Sequence, residues 1–296
     1  MKSFSIDRED IARIACALTA DELSRRFNHY TDFVTQSVWQ GDTSLGEEGL
    51  DLKQDQLTAC AARLCSFFSM PETTIEPTRD DCFYDWADEI APAIKLELKQ
   101  FRFWPASITS AAQSSHPAEE IWQDARMVAS LLTGRRRVVS LVSPHSLFGF
   151  ISTVLAPNLQ LIPVLDGRRM PVDMLGEELA FGDALVATPT LWRYIGETLG
   201  SLPHNIVGLS FGEPLLADLA TELREKGLGA MRELYGSTET GLIAWRDAPT
   251  EPFVLFDHWR RNGNELMRAN PAARERPVGA MDHLNWTSER AFTLGG

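Results

Sequence analysis

The sequence predicts an α/β fold, a mostly parallel sheet flanked by helices and preceded by an N-terminal helical lobe. Three observations carry that reading. Short apolar runs at 138–142, 159–165, 184–188 and 206–211 have the length and composition of strands buried on both faces. Helical stretches begin near Ser146, Pro171, Pro189 and Pro214, three of them at a proline, which a first turn tolerates because that N–H has no intrahelical acceptor. Residues 1 to about 80, by contrast, show helical spacing alone. Repeated strand–helix–strand units imply right-handed crossovers, and ligands of such sheets sit at the carboxyl ends of the strands.

In chain order, Asp7 opens a run with apolar residues at helical spacing, and Thr19-Ala20-Asp21-Glu22 reads as the next helix start. An amphipathic stretch covers Gln56 to Phe68, and the polar, turn-rich segment from Pro71 to Asp81 reads as a linker. This places a helical lobe at 1–80 and an α/β core at 81–296. The segment from Trp39 through that amphipathic stretch resembles in outline the turn and second helix of an acyl carrier protein. The attachment serine of a carrier would fall near Gln54, where there is none, so a structural lobe without a phosphopantetheine arm is expected.

Composition narrows the function. The 296 residues are 44% apolar and 23% charged, ordinary for a chain with ample core. A net charge of −13 argues against a nucleic-acid partner or an anionic membrane surface, but a local pocket can still be positive or amide-lined and accept ATP. Cys16, Cys60, Cys65 and Cys82 form no CxxC pair and no metal-ligand spacing, as expected of a reduced, cytoplasmic protein. The N-terminus is too charged for a secretory leader. Val138 to Leu165 carries no acidic or basic residue, yet Pro144, Pro157 and Pro163 punctuate it, so buried strand, helix and strand explain it better than a membrane span.

Tyr235-Gly236-Ser237-Thr238-Glu239-Thr240-Gly241 lies between strand-like runs at 230–234 and 242–245. Small hydroxyl residues at the end of a buried strand offer N–H and O–H groups to phosphate oxygens, and the lone carboxylate of Glu239 suits a hard cation such as Mg²⁺. Tyr235 would lie flat beside a planar group arriving with the phosphate. In isolation the same heptapeptide reads equally as a Ser/Thr-rich turn capping a helix, with Glu239 a solvated charge.

The heptapeptide resembles the adenylation-core motif of the superfamily comprising acyl-CoA synthetases, peptide-synthetase adenylation domains and luciferases. Those enzymes join a carboxylate to ATP, forming an acyl-adenylate and pyrophosphate, then pass the acyl group to a thiol. The resemblance implies that Tyr235 stacks on adenine, Thr238 touches phosphate with Gly236 and Ser237 beside it, and Glu239 holds Mg²⁺. Phe211-Gly212-Glu213-Pro214-Leu215, by itself a plain strand-to-helix turn, resembles the segment that walls the adenine pocket, at a matching separation from the Tyr235 motif. Ser143-Pro144-His145-Ser146-Leu147-Phe148-Gly149-Phe150 occupies the place of the His/aromatic segment near the carboxylate. His145 would cap that pocket and Phe148 and Gly149 would shape it, although a histidine beside a proline is also an ordinary structural residue. Met281-Asp282-His283 resembles the segment whose Asp accepts from both ribose hydroxyls, without the usual threonine-glycine lead-in.

Two departures accompany the resemblance. The phosphate-cradling loop falls at Phe103 to Ala111, where Ser107 and Thr109 remain but glycines are missing, and no lysine occurs between Arg102 and Arg126. Glycines let such a loop turn its N–H groups onto phosphate oxygens, and a lysine adds charge. The sequence also stops near the hinge to the superfamily's lid domain, whose catalytic lysine is then lacking. The expected function is an adenylate-forming ligase core that uses ATP and Mg²⁺ to activate a carboxylic acid for transfer to CoA or a carrier protein's phosphopantetheine thiol. The alternative is an inactive relative that binds a nucleotide, an acyl group or a partner protein.

Overall fold

In the computed structural model, which describes residues 6–29, 39–105, 113–263, 265–269, 276–278 and 283–295, Asp7 caps the first helix, its side chain accepting from Asp10 N at 2.8 Å. Helix α1 (Arg8–Phe27) runs unbroken through Thr19 to Glu22, where the sequence suggested a second start. No glycine or proline interrupts it, and Leu18, Thr19, Ala20 and Leu23 are buried along its length. Asn28 ends it in the left-handed conformation, φ 51°.

The chain divides into two compact units. The first comprises residues 1–118, 143–150 and 168–170. In it α1 packs against α2 (Gln54–Phe67) and α3 (Phe83–Glu97), burying Ile11, Ile14, Leu57, Leu64, Phe83 and Trp86. Gln54 opens α2 and ties back through its amide to Pro77 O at 2.9 Å, a structural task for the position where a carrier would need its serine. An antiparallel ribbon, β1 (Gln100–Phe103) and β2 (Ser114–Pro117), contributes Phe101 and Phe103 to a cluster of fully buried rings with Phe67 and Phe150. Phe67 meets Phe150 edge-on at 5.2 Å, a favoured quadrupole geometry.

The second unit comprises residues 119–142, 151–167 and 171–296. Nine strands form its main sheet among the described residues. Parallel β4 (Val164–Asp166), β3 (Arg137–Ser140), β5 (Asp183–Ala187), β6 (Ile206–Phe211) and β7 (Leu228–Ser237) lie side by side. Antiparallel β8 (Gly241–Arg246), β9 (Phe253–Leu255), β14 (Ala291–Leu294) and β13 (Leu284–Trp286) continue it. A smaller sheet pairs β10 (Trp259–Asn262), β11 (Glu265–Arg268) and β12 (Arg276–Val278). The central strands are apolar and buried, as covering on both faces requires.

The helices of this unit are α4 (Ala118–Leu131), α6 (Ala156–Gln160), α7 (Val172–Glu178), α8 (Pro189–Thr198) and α9 (Ala217–Glu225); α5 (Leu147–Phe150) belongs to the first unit. The expected strand at 159–165 is mostly absent: Pro157 sits in the first turn of α6, Leu161 ends that helix at φ 56°, and only 164–166 extend. The helix expected near Pro214 starts at Ala217, after an exposed turn. Trp192 on α8 crosses β6 at Gly208, where a Cβ would come within 2.7 Å of its ring, and its Nε1 donates to Leu209 O at 3.2 Å. No helix among the described residues is long and apolar enough to cross a membrane.

Candidate active site

Strands β6 and β7 are in register at their carboxyl ends, where Phe211 pairs with Leu234. The next residue along each is Gly212 and Tyr235, so two motifs separated in sequence become neighbours on one sheet edge. Gly212 has φ 113°, a region that glycine adopts without strain, and Glu213 and Pro214 after it are exposed. Buried Glu233 secures this turn from β7: its Oε1 accepts from Leu215 N at 3.2 Å, while its Oε2 lies 2.7 Å from Arg246 Nη2. The Arg246 guanidinium lies in turn 4.2 Å over the Phe253 ring.

Residues 235–241 form a β-hairpin, which removes the helix-cap reading: β7 continues through Ser237, and β8 begins opposite it at Gly241. Two hydroxyls expected to face outward are occupied within the turn. Ser237 Oγ accepts from the N–H of Glu239 and of Thr240, each at 3.2 Å. Thr240 Oγ1 accepts from Ser237 N at 3.0 Å and donates to Gly241 O at 2.9 Å. The loop leaves N–H groups without ladder partners, and short hydroxyl side chains reach them. At the tip Thr238 is half-buried and Glu239 exposed. Gly236 is needed for close approach, since a Cβ there would stand 2.1 Å from Gly241 O.

Beneath the hairpin lies a buried cluster that the sequence did not single out. Asp124 Oδ2 accepts from Leu242 N at 2.9 Å, while its Oδ1 lies 2.7 Å from Arg268 Nη2 and 2.9 Å from His258 Nε2. Arg268 Nη1 donates to Thr240 O at 3.3 Å, and Trp259 Nε1 donates to Leu242 O at 2.7 Å. The available signal was an acid within the otherwise apolar face of Ile121 to Leu132. The Tyr235 ring is half-buried and set by neighbours, 5.4 Å from Phe253 and 5.3 Å from Phe292, the latter edge-on.

His145, Phe148 and Gly149 belong to the first unit. Ser146 Oγ accepts from Gly149 N at 3.0 Å and donates to Ser143 O at 2.9 Å, capping α5 and presenting the loop that carries His145. Phe148 is buried, and a Cβ on Gly149 would stand 2.0 Å from Ser143 O. His145 is partly exposed, but its Nδ1 is sealed and has no hydrogen-bond partner among the described residues. Burial pushes its pKa down to about 4; Arg168, Arg63 and Arg25 act in the same direction and Asp21 opposes them. The ring is therefore neutral near pH 7. Ser107, Thr109 and Asp282 lie outside the described residues.

No protein-family model matches the chain. Two curated relatives align over nearly all of it. The 4-coumarate–CoA ligase of Rhodobacter capsulatus is 27% identical over 298 residues, spanning 97% of this chain and 76% of the relative. That of Halorhodospira halophila is 26% identical over 295 residues, spanning 98% and 75%. These likenesses support kinship with the superfamily of adenylate-forming enzymes. The superfamily's fold is evident in a solved acyl-CoA synthetase (AMP-forming)/AMP-acid ligase II-like protein from Dyadobacter fermentans. It matches with a TM-score of 0.53 at 16% identity, over 76% of this chain and 67% of that one. The paired ends of β6 and β7 and the hairpin that follows bring together the Gly212 and Tyr235 motifs.

Proposed function

We propose that this chain activates a carboxylic acid with ATP, forming an acyl-adenylate for transfer to the thiol of CoA or of a carrier protein's phosphopantetheine. The observation that carries this reading is the adjacency of Gly212 and Tyr235 at the ends of β6 and β7, with the Ser237–Gly241 hairpin turning directly beyond them. Tyr235 offers its ring to adenine, and Gly212-Glu213-Pro214 supplies an exposed backbone wall for the flat base to approach. Thr238 contacts phosphate beside Gly236 and Ser237, with Ser107 and Thr109 adding hydroxyls and Asp282 accepting from the ribose. His145, neutral at working pH, borders the acid's carboxylate with Phe148 and Gly149 behind it.

Glu239 fits a divalent cation: it is exposed at the hairpin tip and forms no ion pair among the described residues. One carboxylate with water and phosphate oxygens is an ordinary Mg²⁺ set, and the bound ion would neutralise phosphate charge. The acid's carboxylate attacks the α-phosphorus in line and pyrophosphate leaves. The protein contributes mainly positioning and preorganised hydrogen bonding.

A specific observation favours the second reading, a nucleotide or acyl binder without turnover. The stretch between Arg102 and Arg126 holds neither glycine nor lysine. ATP–pyrophosphate exchange with aryl and aliphatic carboxylates, 4-coumarate first, separates the two. Exchange that disappears in Glu239→Ala supports the ligase. Mg-ATP binding by calorimetry without exchange supports the binder, and absence of both removes the nucleotide reading.

A further inference from the structure

The hairpin that carries Thr238 and Glu239 rests on an irregular arm. Strands β7 and β8 slip register between Tyr235 and Gly236: Tyr235 faces Ala244, whereas Gly236 faces Leu242, so Ile243 opposes no residue of β7. A bulge of this kind bends the strand and takes backbone groups out of the ladder. Other elements receive them. Ile243 O accepts from Phe256 N at 2.9 Å, Leu242 O from Trp259 Nε1 at 2.7 Å, and Thr240 O from Arg268 Nη1 at 3.3 Å. Leu242 N donates to Asp124 Oδ2 at 2.9 Å. The arm from Thr240 to Ile243 is thus gripped by α4, β10, β11 and the turn before β10.

Asp124, Arg268 and Trp259 are fully buried, where a hydrogen bond left unmade has no water to replace it. Arg268 is the centre of the grip. Its Nη2 donates to Glu120 O at 2.5 Å and to Asp124 Oδ1 at 2.7 Å, so one planar fork ties α4 to the hairpin arm. From that arm a short relay reaches the tip: Thr240 Oγ1 accepts from Ser237 N at 3.0 Å, and Ser237 Oγ accepts from Glu239 N at 3.2 Å. Thr238 and Glu239 lie beyond the last ladder pair, Ser237 with Gly241, at the end of this relay.

We propose that Arg268 and Asp124 are positioning residues for the hairpin tip. From beneath, they fix the place at which Glu239 presents its carboxylate to a phosphate-bound divalent cation, without touching the ion or the phosphate. This role rests on the reading of the hairpin as a contact for Mg-ATP. Such preorganisation acts on the metal-dependent part of binding, because coordination demands a fixed carboxylate while ring and backbone contacts to the base do not pass through the arm.

The test is Arg268→Lys in the full chain. Lysine keeps a charge beside Asp124 but loses the fork that spans Thr240 O and Glu120 O. Trp259→Phe keeps a buried ring and removes only the donor to Leu242 O; it is the second variant should lysine prevent folding. In the ligand-free chain, ¹⁵N relaxation should show the amide order parameters of Glu239 and Thr240 falling from the rigid range, about 0.85, to below about 0.6. Those of Leu185 and Leu209 in the central strands should stay rigid. Mn²⁺ binding in the presence of ATP, followed by electron paramagnetic resonance of the free ion, should weaken about tenfold, with metal-free ATP affinity kept within about twofold. A merely structural role would move the two affinities together. Order parameters that do not fall, equal Mn²⁺ affinity, or a loss shared by metal-free ATP overturns the positioning role and leaves the Mg-ATP reading intact. An unmodified chain that binds no Mn-ATP removes the reading of the hairpin itself, and this role with it.

Discussion

Asp124 Oδ1 lies 2.7 Å from Arg268 Nη2, and the two side chains are 0% and 1% exposed. The other oxygen of Asp124 accepts from Leu242 N, so a fully buried ion pair holds the first strand residues after the hairpin tip. Removing one partner of such a pair leaves an uncompensated charge in the interior. Asp124→Ala is expected to lose about 3–5 kcal/mol of unfolding free energy. Asp124→Asn, which keeps an acceptor for Leu242 N, should lose less. Urea denaturation of the three proteins checks both, and a loss below about 1 kcal/mol for the alanine variant would mean that the pair is open to water.

Gly241 carries a second constraint at the same point. Its φ is 78°, and a Cβ would stand 2.7 Å from Asp124 Oδ2 and 2.8 Å from Arg268 Nη1. Gly241→Ala therefore meets both backbone strain and a collision with the buried pair, and should cost at least about 1–3 kcal/mol. Gly212→Ala has comparable φ strain but open space around it, so it should cost less. Thermal melts of the two variants rank them, and equal losses would argue against the collision.

The fold class was legible because parallel strands buried on both faces leave continuous apolar runs, as at 184–187 and 206–210. The run at 159–165 misled because periodicity cannot tell a short buried strand from a helix end, and the left-handed Leu161 carries no signal in its residue type. The same limit applied to Thr19, whose cap-like neighbours were overridden by a helix already propagating from Asp7. Tyr235 and Gly212 could be found as motifs, but their adjacency follows from the Phe211–Leu234 register. The cluster beneath the hairpin was hidden for another reason. Asp124, His258 and Arg268 are scattered singly along the chain, and only burial reveals that they share one site.

The setting of Tyr235 predicts how its substitution divides. Phe253 and Phe292 hold the ring near the end of β7 whether or not it bears a hydroxyl. Tyr235→Phe should therefore bind Mg-ATP nearly as well as the unchanged protein. Tyr235→Ala should lose about 1–3 kcal/mol of binding, the scale of one base-to-ring stack. Calorimetry with Mg-ATP checks the pair, and equal affinity in both variants would remove adenine stacking from the reading.

His145 gives the protein a pH dependence whose sign can be worked out. Burial and the nearby arginines hold its pKa at about 4 in the folded state, against the ordinary 6.5. Above pH 6.5 the ring is neutral folded or unfolded and contributes no slope. Between 6.5 and 4 the unfolded chain binds the proton and the folded chain does not, so stability falls as pH falls through that window and levels off below it. The full effect is about 3 kcal/mol. Carboxylates titrate in the same range, so the useful quantity is the difference between the unchanged protein and His145→Asn, which cannot take up the proton. That difference should grow in favour of the variant as pH drops from 7 to 4, measured by urea midpoints at each pH. A difference that stays constant would show that His145 titrates alike in both states, and the sealed, arginine-flanked setting of its ring would have no energetic consequence.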